Sequence, residues 1–128
     1  TVESVKARQH FLKQDGKAVY KFAVKGMADV SKDILTRNNL TGGDISLFIP
    51  HQANKRIIDA TAARCGFTED KVFINIGRYG NTTAGTIPLG LSEAVDERLL
   101  NDGDMLLLAA FGAGFTWGSM LIKWDTCP

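Results

Sequence analysis

The chain predicts an α/β fold: a three-layer α/β/α domain with a five-stranded mixed sheet and the element order β-α-β-α-β-α-β-β. Apolar residues recur at spacings of three and four in three separate stretches, the mark of helices with one buried face. Short apolar runs alternate with those stretches, and strands joined through helices pair in parallel by right-handed crossovers. Residues 105–111 are apolar at every position, as a strand covered on both faces requires, so this strand is expected at the sheet centre. The 128 residues, 45% hydrophobic, suffice for a single domain over 1–128 that buries roughly two-thirds of its unfolded surface.

Each element has its own signal. Phe11 and Leu12 form a short apolar stretch that Gln14-Asp15-Gly16 ends as a turn, which predicts a brief first strand. From about Lys17 to Asn38, Val19, Phe22, Ala23, Met27, Val30, Ile34 and Leu35 mark one buried helical face. Leu40-Thr41-Gly42-Gly43 closes that helix, and Asp44 opens a strand reaching Ile49 before Pro50 halts the ladder. A second helix is expected from about Ala53 to Cys65, burying Ile57, Ile58 and Ala62, with Gly66 supplying a left-handed C-terminal residue. Val72 to Ile76 reads as the next strand. A third helix, from about Ala84 to Leu100, is expected to bury Leu89, Leu91, Ala94, Val95 and Leu99, with Pro88 near its first turn. Asn101-Asp102-Gly103-Asp104 is a turn, and Gly112-Ala113-Gly114 links the central strand to a last antiparallel one over residues 115–124.

Two of these strands end alike. One delivers His51, and the other leads through Gly77-Arg78-Tyr79-Gly80 to Asn81, with a helical pattern after each. Parallel strands of an open α/β sheet place such junctions along one edge, where ligands of these sheets gather. A histidine after a strand is also common as a satisfied structural residue, and an asparagine between Gly80 and Thr82 as a turn residue or helix cap. Equivalent placement on successive units makes the pair stronger than either member. An imidazole N–H and a carboxamide NH2 on rigid strands can hold one developing oxyanion, so an enzyme site is the leading expectation. The loop Phe111-Gly112-Ala113-Gly114-Phe115 brings backbone N–H groups to the same edge, or is simply a hairpin turn.

Other chemistries find little support. Fifteen basic against fourteen acidic residues give a formal charge of +1, which argues against a nucleic-acid partner. No apolar run approaches the ~20 residues of a membrane span, and Thr1-Val2-Glu3-Ser4 lacks signal-peptide features; a soluble, cytoplasmic protein is expected. The two histidines, His10 and His51, have no ligand-spaced cysteine beside them, so no metal is expected. The glycine loop lacks the Lys and Ser/Thr of a phosphate-binding loop. Cys65, near a helix C-terminus, is expected as core filler and Cys127 in a loose tail, which disfavours a disulfide. Two sequons, Asn39-Leu40-Thr41 and Asn81-Thr82-Thr83, read as coincidence. Lys17, Lys21, Lys25, Lys55 and Arg56 read as solvated surface or, beside a site mouth, as attractors of phosphate or an acidic carrier. The chain opens without Met, as a piece of a longer protein would.

Three motifs carry a specific resemblance. Pro50-His51-Gln52-Ala53-Asn54-Lys55-Arg56, Arg78-Tyr79-Gly80-Asn81-Thr82-Thr83-Ala84 and Ala110-Phe111-Gly112-Ala113-Gly114-Phe115-Thr116-Trp117-Gly118 resemble, in order and spacing, the C-terminal half of the β-ketoacyl-acyl carrier protein synthase III family. The resemblance covers nearly the whole chain. It implies a thiolase-like fold, in which two similar βαβαβαββ halves form a subunit and subunits pair as homodimers. It also implies a decarboxylative Claisen condensation of an acyl-CoA, such as acetyl-CoA, with malonyl-acyl carrier protein, initiating fatty-acid synthesis without a bound cofactor. CoA and phosphopantetheine arrive with the substrates.

By the same resemblance, His51 and Asn81 stabilise the thioester enolate, and the backbone N–H of Ala113 helps bind the acyl-thioester oxyanion. Asn54 and Arg56 match residues of the pantetheine tunnel or the carrier-docking surface. The family's nucleophilic cysteine belongs to the N-terminal half, and neither Cys65 nor Cys127 matches it. The chain alone is therefore expected to be inactive. Another thiolase-fold ketide synthase, or a non-catalytic module binding a pantetheine carrier through Asn54 and Arg56, stays open as an alternative.

Overall fold

The structure, a computed structural model, describes residues 1–125; Cys127 lies outside the described residues. Helix α1 (Val2–Lys6) is closed by a capping box between Thr1 and Ser4. Helix α2 (Gly16–Arg37) begins at Asp15, whose carboxylate accepts from the backbone N–H groups of Lys17 and Ala18. Then follow β1 (Leu47–Pro50), α3 (Lys55–Cys65), the single turn α4 (Ile76–Tyr79), α5 (Thr86–Asp96) and the hairpin β2 (Met105–Gly112) and β3 (Thr116–Lys123). Gly66, at φ 76°, takes the left-handed position that ends α3.

The sheet has the order β1-β2-β3, with β1 parallel and β3 antiparallel to the central β2. Because side chains alternate along a strand, the sheet faces two cores. Phe48, Leu107 and Ala109 pack with Ala23, Val24, Met27 and Leu35 of α2 and Ile57 and Ala62 of α3. On the other face Leu47, Ile49, Leu106 and Leu108 pack with Phe73 and with Ala94 of α5. Three layers result, as the sequence predicts.

The strand count differs. The five expected strands become three among the described residues. Phe11 and Leu12 form no strand; Leu12 is 94% exposed, and Phe11 packs at a tilt against the His10 ring, with the Arg8 guanidinium over it. Two apolar residues with no covering layer and no neighbouring ladder have nothing to gain from extension. Residues 72–76 make only one parallel bridge, Phe48 to Val72. The Phe73 N–H still donates to the Phe48 carbonyl at 2.9 Å. The next ladder bond would need an N–H from Pro50, which proline lacks. Gln52 supplies the replacement: its Nε2 donates to Phe73 O at 3.2 Å and to Pro50 O at 2.8 Å. Its Oε1 accepts from the Asn75 and Ile76 N–H groups at 3.1 and 3.2 Å, turning the chain out of the sheet into α4.

Helix α5 is shorter than expected and turns a different face inward. Of the residues expected inside, Ala94 is buried and Leu91 half-buried, but Leu89, Val95 and Leu99 are 37–44% exposed, and Thr86 and Gly90 are buried instead. Small residues at i, i+4 and i+8 let the helix lie close to the sheet. A Cβ on Gly90 would come within 2.9 Å of Ile49 Cγ2. Gly26 of α2 plays the same part against Trp117 of β3, where a Cβ would meet the indole ring at 2.8 Å.

Candidate functional site

His51 stands one residue beyond β1, and the sheet still holds it. Its backbone N–H donates to Ala109 O of β2 at 2.7 Å, one step past the last strand pair. The half-buried imidazole meets α5: Nδ1 lies 2.6 Å from Oγ1 of Thr86, which is 2% exposed. That hydroxyl donates to the carbonyl of Thr83 at 3.1 Å. Burial lowers the pKa of His51, so the ring is neutral near pH 7 and one nitrogen carries one proton. The single hydroxyl hydrogen of Thr86 selects which. Directed at Nδ1, it leaves the proton on Nε2 as a donor; directed at Thr83, it leaves Nε2 as an acceptor.

Asn81 lies in the exposed loop between α4 and the 3-10 turn Thr83–Gly85. Gly80, at φ 68°, makes the turn that brings the chain to it. The Asn81 Oδ1 accepts from the Thr83 N–H at 2.9 Å, which commits the acceptor end of the amide to the backbone and leaves Nδ2 as the donor end.

The loop is held from behind by a cluster around Glu93 of α5. Glu93 accepts from Asn75 Nδ2 at 2.6 Å, from the Arg78 guanidinium at 2.9 Å and from the Tyr79 hydroxyl at 2.8 Å. The Asn75 amide first, then the Tyr79 hydroxyl and the Arg78 charge, hold the Glu93 carboxyl below its ordinary range, against the opposing effect of burial.

One open groove of about 1400 Å³ brings the expected residues together. His51, Asn54, Arg56, Asn81 and Ala113 all line it, with Lys17 and the aromatic residues Phe111, Phe115 and Trp117. Asn54 also has a structural task, since its Oδ1 caps α3 by accepting from the Arg56 N–H at 2.9 Å. The Arg56 guanidinium lies 5.4 Å above the Tyr20 ring centroid. Ala113 sits in the β2–β3 turn, where its carbonyl accepts from Thr116 Oγ1 at 3.3 Å. Lys25 and Lys55 are tied up in surface pairs with Asp29 and Asp59. Cys65 lies on the far side of the sheet from α5, its thiol pKa raised by burial, with its Sγ 3.9 Å from Ala28 O. Among the described residues no group of three His, Cys, Asp or Glu side chains is placed to hold a metal ion.

Sequence reasoning passed over Thr86, Gln52 and Glu93. Only Thr86 left a usable trace, because Pro88 marks a helix start and so places a hydroxyl near the first turn.

Comparisons with known proteins agree with the motifs. A model of the family described as 3-oxoacyl-[acyl-carrier-protein] synthase III, C terminal, matches residues 35–124. The β-ketoacyl-[acyl-carrier-protein] synthase III of Chlorobium phaeobacteroides is 57% identical over 125 residues, which is 98% of this chain and 38% of that protein. The enzyme of the same description from Chlorobaculum tepidum is 54% identical, over 96% of this chain and 37% of its own length. Among solved structures, 3-oxoacyl-[acyl-carrier-protein] synthase III from Aquifex aeolicus superposes with a TM-score of 0.87 at 40% identity, covering 89% of this chain and 37% of that one. The chain thus spans a little over a third of the length of these relatives. With thiolase-fold architecture and a family match over most of its residues, the chain belongs to the 3-oxoacyl-[acyl-carrier-protein] synthase III family and corresponds to its C-terminal region.

Proposed function

We propose that this region supplies the decarboxylation half of a decarboxylative Claisen condensation, in which malonyl-acyl carrier protein is joined to an acyl group taken from acyl-CoA. The observation that carries this reading is the shared groove, lined by the His51 imidazole, the Asn81 carboxamide and the Ala113 turn. When the malonyl carboxylate departs as CO2, the electron pair of the breaking C–C bond moves into the thioester, whose oxygen gains negative charge. When the Thr86 hydrogen turns from the Thr83 carbonyl, to which it donates in this structure, to Nδ1 of His51, Nε2–H and the Asn81 Nδ2–H act as donors to that oxygen. Fixed donors need no reorganisation as the charge develops.

The resulting carbanion attacks the acyl-thioester carbonyl, and the cysteine thiolate leaves. That nucleophile comes from the N-terminal half of the full-length protein, since half-buried Cys65, its thiol pKa raised, does not line the groove. The Ala113 N–H belongs with the oxyanion of this second step. Arg56 and Asn54 border the groove where the pantetheine arm of CoA or of the carrier enters, and Arg56 offers its charge to a phosphate. The working enzyme is a homodimer of two-half subunits in the cytoplasm.

The test uses the full-length protein. His51→Ala and Asn81→Ala each lower malonyl-acyl carrier protein decarboxylation by about 10²–10³, the usual effect of losing one such donor. Wild-type rates in both variants overturn the proposal.

A further inference from the structure

We propose that Gln52 is a positioning residue that sets the spacing between the two donors of the groove. The proposal rests on the donor reading of His51 and Asn81 and extends it to a side chain that touches neither substrate nor groove. Gln52 directly follows His51 and is fully buried. Its amide makes four bonds: two from Nε2, to Pro50 O at 2.8 Å and Phe73 O at 3.2 Å, and two to Oε1, from Asn75 N at 3.1 Å and Ile76 N at 3.2 Å. Two carbonyls on one side and two N–H groups on the other leave one orientation for the amide. Only a carboxamide offers two donors and a shared acceptor at once, and asparagine is one methylene too short to span the gap.

The bonds join two pieces of chain beyond the point where the sheet stops joining them, at Phe48 and Phe73. On one side the Pro50 carbonyl fixes the end of β1, and His51 is the next residue. On the other, the Asn75 and Ile76 amides open α4, which runs to Gly80 and so to Asn81. Two routes therefore set the distance between the donors: the side-chain route from the His51 ring through Thr86 and Thr83 to Asn81, and the backbone route through the buried Gln52 amide and one helical turn, which fixes where the Asn81 segment leaves the sheet. The sheet ladder at this edge ends after one bridge, Phe48 to Val72, and past Phe73 the Gln52 amide takes over the link.

The full-length protein provides the test, with decarboxylation of malonyl-acyl carrier protein and hydrogen exchange as readouts. In Gln52→Met, which keeps the volume and removes all four bonds, kcat falls at least tenfold. KM changes less than threefold, and amides in residues 75–81 exchange faster while those of β2 do not. Because Gln52 acts through Asn81, the double variant Gln52→Met/Asn81→Ala is no slower than Asn81→Ala alone. If Gln52→Met does not fold, Gln52→Glu, which keeps the shape and sets oxygen against two carbonyls, takes its place with the same expected result. A kcat within twofold of wild type, unchanged exchange over 75–81, or a double variant slowed by the full product of the single effects overturns the proposal. Such a result leaves the donor reading standing if His51→Ala and Asn81→Ala are still impaired. Wild-type rates in those two variants instead remove the donor reading itself.

Discussion

His51 and Asn81 border the same groove but are held there by different means. His51 is an extension of the sheet: its N–H continues the β1–β2 ladder, and its ring rests against a buried hydroxyl. Asn81 belongs to no ladder. Its segment is fastened at the front by the Gln52 amide and at the back by the Glu93 carboxylate, which gathers Asn75, Arg78 and Tyr79. Backbone pairing tolerates most side chains, whereas a side-chain fastening is lost with a single substitution. The Asn81 side should therefore be the more fragile half of the site, and substitutions that loosen each fastening sharpen or break that contrast.

The largest effect belongs to Gln52, since its loss orphans buried backbone groups that each cost about 1–3 kcal/mol. Next comes Thr86→Val, which keeps the shape and removes the partner of His51 Nδ1. The rate of decarboxylation should fall about tenfold, roughly 1.4 kcal/mol, and Thr86→Ser should restore most of it; an unimpaired Thr86→Val would show that the ring needs no fixed tautomer. Glu93→Gln should cost less, a few-fold in kcat, because Gln still accepts from one neighbour and the Arg78 side chain of the lost ion pair is more than half exposed. An effect equal to that of Gln52→Met would place the main fastening at the back of the loop instead.

The smallest effect is a pH slope. Burial places the pKa of His51 below the ordinary 6.5, so the unfolded chain binds the proton more readily than the folded one. Stability that depends on the neutral ring is complete above about pH 6.5 and is lost as the pH falls through the window below it. Denaturant midpoints of the full-length protein measured from pH 8 to pH 5 should decline less steeply in His51→Gln than in the wild type. An unchanged slope would show that the ring is not held neutral by its surroundings.

The same contrast explains what was legible in the sequence. Periodicity and apolar runs report elements held by the backbone, and α2, α3, β1, the central β2 and its hairpin partner β3 all appear where the pattern places them. Residues 72–76 carry a strand pattern, Val72-Phe73-Ile74, yet only Phe73 of that run is deeply buried and the ladder stops after one bridge. The cause lies 22 residues upstream, in a proline that withholds an N–H and a glutamine that replaces it. No local window contains both. For α5 the apolar pattern pointed rightly at Ala94 but also at Leu89, Val95 and Leu99, whereas close approach to Ile49 selected Gly90, which a hydrophobicity pattern does not register. The proposed site residues stand out in the sequence as motifs at junctions, and all five expected positions border one groove. Their supports, Thr86, Gln52 and Glu93, were not, because each acts through a partner distant in sequence.

The account turns on whether the two donors reach one oxygen. A crystal structure of the full-length protein with a non-hydrolysable malonyl-thioester analogue in the groove measures this directly. The account predicts His51 Nε2 and Asn81 Nδ2 both within hydrogen-bond reach, about 2.7–3.1 Å, of the same thioester oxygen. Donors bound to different atoms, or either one turned away from the thioester, would contradict it.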